Sequence, residues 1–329
     1  MAKLNNIEAL TNALEVAMEA DERIVIFGED AGFEGGVFRA TQGLQKKFGE
    51  DRVFDAPISE ATIVGTGVGL AIAGMKPVVE MQFQGFSYAG LQQLFTHAAR
   101  IRNRSRGRFS CPLIVRMPMG GGVRALEHHS ESIEAIFAHI PGVKVVMPSN
   151  PYDMKGMMLA ALKEDDPVVF LESKKIYRAF KQEVPEGMYK VELGKANVIK
   201  EGESVTVVTY GAQVHDSIKA VEELMQTNPE IDVELIDLRT ISPIDTETLV
   251  NSIKKTGRMI IVHEAVKSFS VSSEIMARVS EKAFEYLEAP ISRVTGYDIT
   301  IPLATGEKHH MVDSKKIAEK IKEVVAFKA

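Results

Sequence analysis

The chain has 329 residues, 45% of them hydrophobic and 26% charged, with a formal net charge of −6. That length suits two domains of ordinary size, each with its own core, and the acidic balance without an aromatic-interleaved basic patch argues against nucleic acid as the partner. The N-terminal Met-Ala-Lys-Leu-Asn-Asn-Ile-Glu lacks an apolar signal core, no apolar run reaches the roughly 18 residues of a membrane span, and the single cysteine cannot form an internal disulfide, so a soluble cytoplasmic protein is expected.

In chain order, Ile7, Leu10, Leu14 and Met18 share one face of an amphipathic first helix. Residues 23–27 form a short apolar strand running into Gly28-Glu29-Asp30. Residues 59–74 read as a helix, 77–81 as a strand and 87–104 as a helix. A strand at 113–117 leads into the loop Gly120-Gly121-Gly122-Val123-Arg124-Ala125-Leu126. A helix at 130–139, a strand at 143–147, a helix at 152–163 and a strand at 168–172 follow. Strands that are apolar throughout and alternate with helices indicate a parallel sheet covered on both faces. Residues 178 to about 203 are charged and carry Pro185, Gly187, Gly194 and Gly202, which suits a linker. Strands at 205–209, 233–236, 259–262 and 291–294 then alternate with helices at 211–225, 246–255, 272–284 and 314–325. The expected fold class is α/β, with two doubly wound parallel-sheet domains at 1–178 and 204–329 joined by a linker at 179–203.

The standard catalytic signals are absent. There is no GxxxxGK[ST] and no GxSxG. Gly65-Thr66-Gly67-Val68-Gly69 lacks the spacing of a dinucleotide fingerprint and lies inside a helix, where it reads as close packing. Cys111, before Pro112 in an apolar strand, reads as a buried structural thiol. The arginines at 100, 102, 104, 106 and 108 read as a helix end that pairs with carboxylates or a partner chain. His309-His310 reads as a surface loop, because adjacent rings diverge and no third metal ligand follows at helical spacing.

Two positions carry chemistry. Ile58-Ser59-Glu60-Ala61-Thr62 sets one carboxylate at the start of a helix lined with small residues. Glu60 is either a first-turn carboxylate stabilised by the helix dipole behind an N-cap Ser59, or an acid at the edge of a dry site suited to one ring nitrogen of a cofactor. His128-His129 follows the glycine loop at a strand end, where open α/β sheets bind ligands. One of these histidines is either structural or a proton-transfer group at neutral pH.

Several motifs now bear on the choice: Phe-Gly-Glu-Asp at 27–30, Gly-Gly-Val-Phe at 35–38, Phe-Asp-Ala-Pro-Ile-Ser-Glu at 54–60, His-Ser-Glu-Ser at 129–132, His-Ile-Pro-Gly-Val-Lys-Val-Val-Met-Pro-Ser at 139–149 and Asp-Pro-Val-Val-Phe-Leu-Glu at 166–172. Together they resemble the β subunits of the E1 component of 2-oxo acid dehydrogenase complexes, the pyruvate branch most of all, with branched-chain oxo acid and acetoin enzymes as alternatives. The resemblance implies a transketolase-like pyrimidine-binding domain followed by a transketolase C-terminal domain. It implies thiamine diphosphate as cofactor, with Glu60 on N1′ of the aminopyrimidine, Phe86 packed on that ring, Glu29 in the proton-relay network, and His129 assisting transfer to the lipoyl group. His128 is extra relative to many relatives; His129 directly precedes the motif's serine. For Glu60, desolvation under the bound cofactor is expected to outweigh the helix dipole.

No GDG-to-Asn motif for Mg2+ and diphosphate occurs, since Gly28-Glu29-Asp30 and Gly49-Glu50-Asp51 lack the second glycine and the asparagine. The resemblance therefore implies an E1 α subunit that supplies the diphosphate and Mg2+ half of the site, an α2β2 heterotetramer, and an E2 acyltransferase core with its lipoyl domain as the next partner. A potassium site of relatives maps to Leu113, Ala161, Leu162, Glu164 and Asp166. Two other classes remain: a non-catalytic transketolase-like assembly subunit, and a free-standing flavodoxin-like nucleotide binder.

Overall fold

The computed structural model describes residues 1–328. The chain forms two compact units, one of Met1–Gly120 with His128–Leu193, the other of Gly121–Glu127 with Gly194–Ala329.

In the first unit, strands Lys144–Val146, Val168–Ser173, Ile114–Met119, Lys76–Glu80, Ile24–Gly28 and Val53–Asp55 lie side by side in that order, each parallel to its neighbours. Alternate residues of these strands serve opposite faces. One face, with Ile24, Ile26, Val78, Ile114, Val168 and Phe170, shares a core with helices Asn6–Ala20 and Pro151–Ala161. The first helix starts on a capping box, in which the Asn5 side chain accepts from the Glu8 N–H and Glu8 accepts from the Asn5 N–H. Helix Glu60–Ile72 covers the other face, and Gly67 is the point of contact. A Cβ there would lie 2.8 Å from Leu113 and 3.1 Å from Val79, so the glycine permits the close approach expected of this segment.

Where residues 87–104 read as one helix, the chain instead makes a 3-10 turn at Gln84–Gly90, a π turn at Gln93–His97, a second 3-10 turn at Ala98–Arg100 and an α turn at Ile101–Arg104. Neighbouring backbone dictates this. A Cβ on Gly85 would lie 2.1 Å from the His128 carbonyl oxygen, one on Gly90 3.2 Å from that of Glu60, and one on Gly142 2.3 Å from that of Ala99. Only part of residues 130–139 is helical, at Glu134–Ala138.

The second unit holds a five-stranded sheet in the order Ser292–Val294, Met259–Val262, Val205–Thr209, Val233–Asp237, Asn197–Lys200. The first four strands are parallel, and Asn197–Lys200 runs antiparallel at the edge. Val205, Val207, Ile260 and Val262 pack with helices Gln213–Thr227 and Ser314–Val325. Thr206 turns to the other face and bonds the hydroxyls of Ser252 and Thr256 on helix Thr246–Thr256.

The stretch 179–203, read as a linker, carries two strands. Gln182–Val184 pairs antiparallel with Ala2–Leu4 in the first unit, and Asn197–Lys200 belongs to the second sheet. Buried Lys155 fixes the first part, donating to Asn12 Oδ1 at 2.7 Å and to the carbonyls of Pro185 and Glu186 at 2.6 Å each. No described helix is long and apolar enough to cross a membrane.

Gly202 is buried against the strand Val233–Asp237, and a Cβ would meet backbone atoms of Val233 and Glu234 at 2.3 and 2.4 Å. Gly202→Ala therefore lowers stability by about 1–3 kcal/mol, the usual cost of overpacking. Gly187→Ala, at an exposed position with nothing within 4 Å, changes it by less than about 0.5 kcal/mol. Calorimetric unfolding of the two variants checks the contrast.

Candidate active site

The site is built at the carboxyl ends of the first unit's strands. Glu29 directly follows the strand Ile24–Gly28 and is 5% exposed. Gly28 is what lets this strand end crowd the next one, since a Cβ there would lie 2.5 Å from the Glu80 carbonyl oxygen. The Asp55 carboxylate at the end of Val53–Asp55 accepts from the N–H groups of Gly32 at 2.6 Å and Phe33 at 3.1 Å, pinning the loop that follows Glu29.

Glu60 is the first residue of helix Glu60–Ile72 and is half-buried. Ser59 holds the N-cap position, yet its hydroxyl pairs with Thr62 Oγ1 at 2.8 Å and caps no backbone N–H, contrary to expectation. Among the described residues no side chain forms a hydrogen bond or ion pair with Glu60. Burial, then the Glu60 carboxylate, then Asp30 push the Glu29 pKa above its ordinary value. Two carboxylates predicted from separate segments thus lie within each other's field without a cation between them.

An aromatic wall stands beside them. Because Gly85 has no Cβ, the segment Gln84–Gly90 lies against the His128 backbone. Phe86 is then 5.2 Å from the His128 ring and 5.0 Å from the His129 ring, and Phe83 lies 4.5 Å from His129, edge to face. His129 Nδ1 is buried without a hydrogen-bond partner among the described residues. The Lys174 ammonium donates to the His129 carbonyl and stands 5.0 Å from the Phe83 ring centre. Tyr88 donates its hydroxyl to Glu131 at 2.7 Å, and burial together with that carboxylate raises the Tyr88 pKa. The close pairing of Gly90 with the Glu60 backbone ties this wall to the helix that carries the acid.

Beneath these groups, Arg116 is 1% exposed and forks onto Glu172 with two bonds of 2.8 Å, while its other terminal nitrogen bonds Glu80. Tyr177 donates to the same Glu172 at 2.6 Å. Burial opposes the Arg116 charge, but Glu172 and Glu80 outweigh it and raise its pKa. Burial pushes Glu80 toward its neutral form, with Arg116 opposing.

The predicted residues Glu29, Glu60, Phe86 and His129 all fall in this region. The residues mapped to a potassium site do not: they cluster at the opposite, amino ends of the strands. Glu164 pairs with Lys144 and Asp166 with Arg102 at 2.6 Å. The Leu162 carbonyl already accepts from the Lys76 ammonium at 2.8 Å, and the carbonyls of Leu113 and Ala161 accept backbone N–H groups. Each of these carbonyls keeps a second lone pair beyond the bond it accepts. The described residues contain no group of three or more His, Cys, Asp or Glu able to hold a metal.

Two further expectations meet the structure. Cys111 is fully buried, and burial followed by Asp166 pushes its thiol up to about 12, as a structural cysteine requires. His309-His310 is no surface loop. The pair lies in the helical turn Glu307–His310, and His310 is 5% exposed beside Tyr297, in space that the absent side chain of Gly296 leaves open. Phe83 and Lys174 were not anticipated. The Phe-x-x-Phe spacing at 83–86 and a lysine pair directly after a strand end were the signals available for them.

Residues 2–179 match the family model "Transketolase, pyrimidine binding domain", and residues 194–317 match "Transketolase, C-terminal domain". The pyruvate dehydrogenase E1 component subunit beta of Mycoplasma pneumoniae is 57% identical over 323 residues, 98% of each chain. That of Acholeplasma laidlawii is 58% identical over 324 residues, again 98% of each. The Bacillus subtilis protein of the same name is 46% identical over 327 residues, 99% of this chain and 100% of that one. A solved structure titled "Split gene transketolase, inactive beta4 tetramer" superposes with a TM-score of 0.79 at 19% identity, covering 99% of this chain and 100% of that one, a likeness of fold. With both domains matched in order and near-complete relatives at this identity, the chain belongs to the β subunits of the pyruvate dehydrogenase E1 component, a transketolase-like oxidoreductase family.

Proposed function

We propose that this chain supplies the pyrimidine-binding half of a thiamine diphosphate site, in an E1 enzyme that decarboxylates pyruvate and acetylates the lipoyl groups of an E2 acyltransferase. The observation that carries the reading is the pair Glu29 and Glu60, close together without a cation, beside a wall of Phe83, Phe86 and His129. A half-buried carboxylate with no partner in its own chain fits a ring nitrogen that arrives with the cofactor, and Phe86 offers the apolar surface such a ring needs.

When bound, the cofactor supplies an electron-withdrawing ring that lets CO2 leave the 2-oxo acid. Glu60 holds and exchanges a proton at N1′ of the aminopyrimidine. Glu29, its pKa raised by burial and by Glu60, is the neighbouring acid through which that proton is replenished. Phe83 and Phe86 exclude water around His129, and His129 gives its proton to a lipoyl sulfur as the disulfide opens. An E1 α subunit holds the diphosphate and Mg2+ and completes an α2β2 heterotetramer. Phe33 and Ile58, which flank the two acids in sequence, are 83% and 84% exposed, as residues awaiting such a partner would be. No step is assigned to a potassium ion.

Glu60→Gln in the assembled α/β enzyme leaves assembly intact and reduces turnover by about 10²–10⁴-fold, the range of a lost acid–base group. Unchanged CO2 release would mark the chain as an assembly subunit without a catalytic residue of its own. Calorimetry of the isolated chain with thiamine diphosphate shows no measurable binding, and heat returns when the α subunit is added; tight binding to the chain alone would favour a free-standing nucleotide binder.

A further inference from the structure

Between His129 and helix Glu134–Ala138 the chain has no regular structure, and other segments of the first unit hold it in place. The Gly120 N–H donates to the Glu131 carbonyl at 3.0 Å, and Tyr88 donates to the Glu131 carboxylate at 2.7 Å. The Ile133 N–H donates to Oε1 of buried Gln84 at 2.9 Å. Each of these bonds falls two residues or more beyond His129. Among the described residues, the one side chain hydrogen-bonded to His129 itself is Lys174, whose ammonium donates to the His129 carbonyl.

Lys174 is well placed to act as a fixed point. It directly follows strand Val168–Ser173, which lies between Lys144–Val146 and Ile114–Met119 in the buried sheet. Its side chain is held inside with it, since the residue is 5% exposed. A buried ammonium is costly unless it is bonded, and a charge-assisted bond to a carbonyl is among the stronger ones available to it. The same ammonium stands 5.0 Å from the centre of the Phe83 ring, within the range of a cation–π contact. Phe83 in turn meets the His129 ring edge to face at 4.5 Å. The imidazole needs this support, because its buried Nδ1 has no hydrogen-bond partner among the described residues to set its rotation. Lys174 therefore fixes the residue twice, the backbone through its carbonyl and the ring through Phe83.

We infer that Lys174 is a positioning residue for His129, holding it in the orientation from which the imidazole reaches a lipoyl sulfur. The inference rests on the transfer role proposed for His129. It goes beyond that reading by assigning part of the rate of acyl transfer to a buried cation that need never touch substrate or cofactor.

The test uses the assembled α/β enzyme with a free lipoyl domain as acceptor, and kcat and KM for acetylation are measured separately. Lys174→Met keeps an unbranched apolar stem but removes the charge and its donors. It is expected to lower kcat about tenfold or more, the scale of loss that a small misplacement of a reacting group brings. KM for the lipoyl domain is expected to stay within about twofold, since the loss falls on the step and not on docking. Lys174→Arg, which keeps charge and donors, should recover most of the lost kcat. The positioning role is overturned if Lys174→Met leaves kcat within about twofold, if the loss lies in KM alone, or if the arginine variant is as slow as the methionine one. His129→Gln should be at least as slow as Lys174→Met; if it acetylates the lipoyl domain at the unmutated rate, the transfer role falls and this inference with it. If His129→Gln alone is slow, only the role of Lys174 falls. A second measurement reads the ring directly, by NMR of the enzyme carrying 13C-labelled histidine. The His129 Cε1–H signal, assigned by its loss in His129→Gln, should be single in the unmutated enzyme and split or displaced in Lys174→Met. Several His129 signals in the unmutated enzyme would refute the fixed ring whether or not any variant folds.

Discussion

The first unit holds two pairs of acids in opposite ways, one pair neutralised in the core and the other left without a cation. Glu80 and Glu172 share one guanidinium, and the fork on Glu172 with the Tyr177 hydroxyl leaves that group satisfied inside the core. Glu29 and Glu60 share nothing. Burial first, and then the nearby Glu60 carboxylate, push the Glu29 pKa upward. A neutralised buried pair is costly to disturb and chemically inert, whereas an unneutralised one stores a tendency to take up a proton or a cationic ring. The Arg116 network thus fixes the strand ends from below, while the acids above it remain available.

Much of this arrangement was legible from the residues alone. The apolar strands and the helix periodicity gave both sheets, and the small residues of helix Glu60–Ile72 gave its close packing, which Gly67 bears out against Leu113 and Val79. What the sequence hid is long-range backbone contact. The continuous helix expected at 87–104 is broken because Gly85, Gly90 and Ala99 are pressed against backbone from distant segments, and helix propensity carries no record of such neighbours. Val53–Asp55 and Gln182–Val184 are too short to show a period, and each is a strand only because a partner lies beside it. His310 is buried because Gly296 leaves room for its ring, a fact that neither residue states by itself.

The surroundings of Glu60 bear on the two readings left open for it. A first-turn carboxylate that merely complements a helix dipole would sit in solvent or find a basic partner. Glu60 does neither, since it is half-buried, has no cation, and faces a second acid. For His129 the feature that supports the proposed role is the wall. Two phenylalanine rings at 4.5 and 5.0 Å hold the imidazole edgewise, and a buried nitrogen without a partner is tolerated where a ligand completes it.

The site is one-sided. It has acids for a ring nitrogen and aromatic surface for a ring, but the sequence has no GDG-to-Asn motif for a diphosphate and the described residues hold no cluster of His, Cys, Asp or Glu metal ligands. A cofactor held only by its uncharged end would bind weakly, because the strongest handle on a diphosphate is charge. Exposed Phe33 and Ile58 beside the acids are unfavourable in a chain that works alone and favourable in one that is covered. Phe33 follows Glu29 by four residues and Ile58 precedes Glu60 by two, so the exposed apolar surface and the unpaired acids lie on the same two stretches of chain.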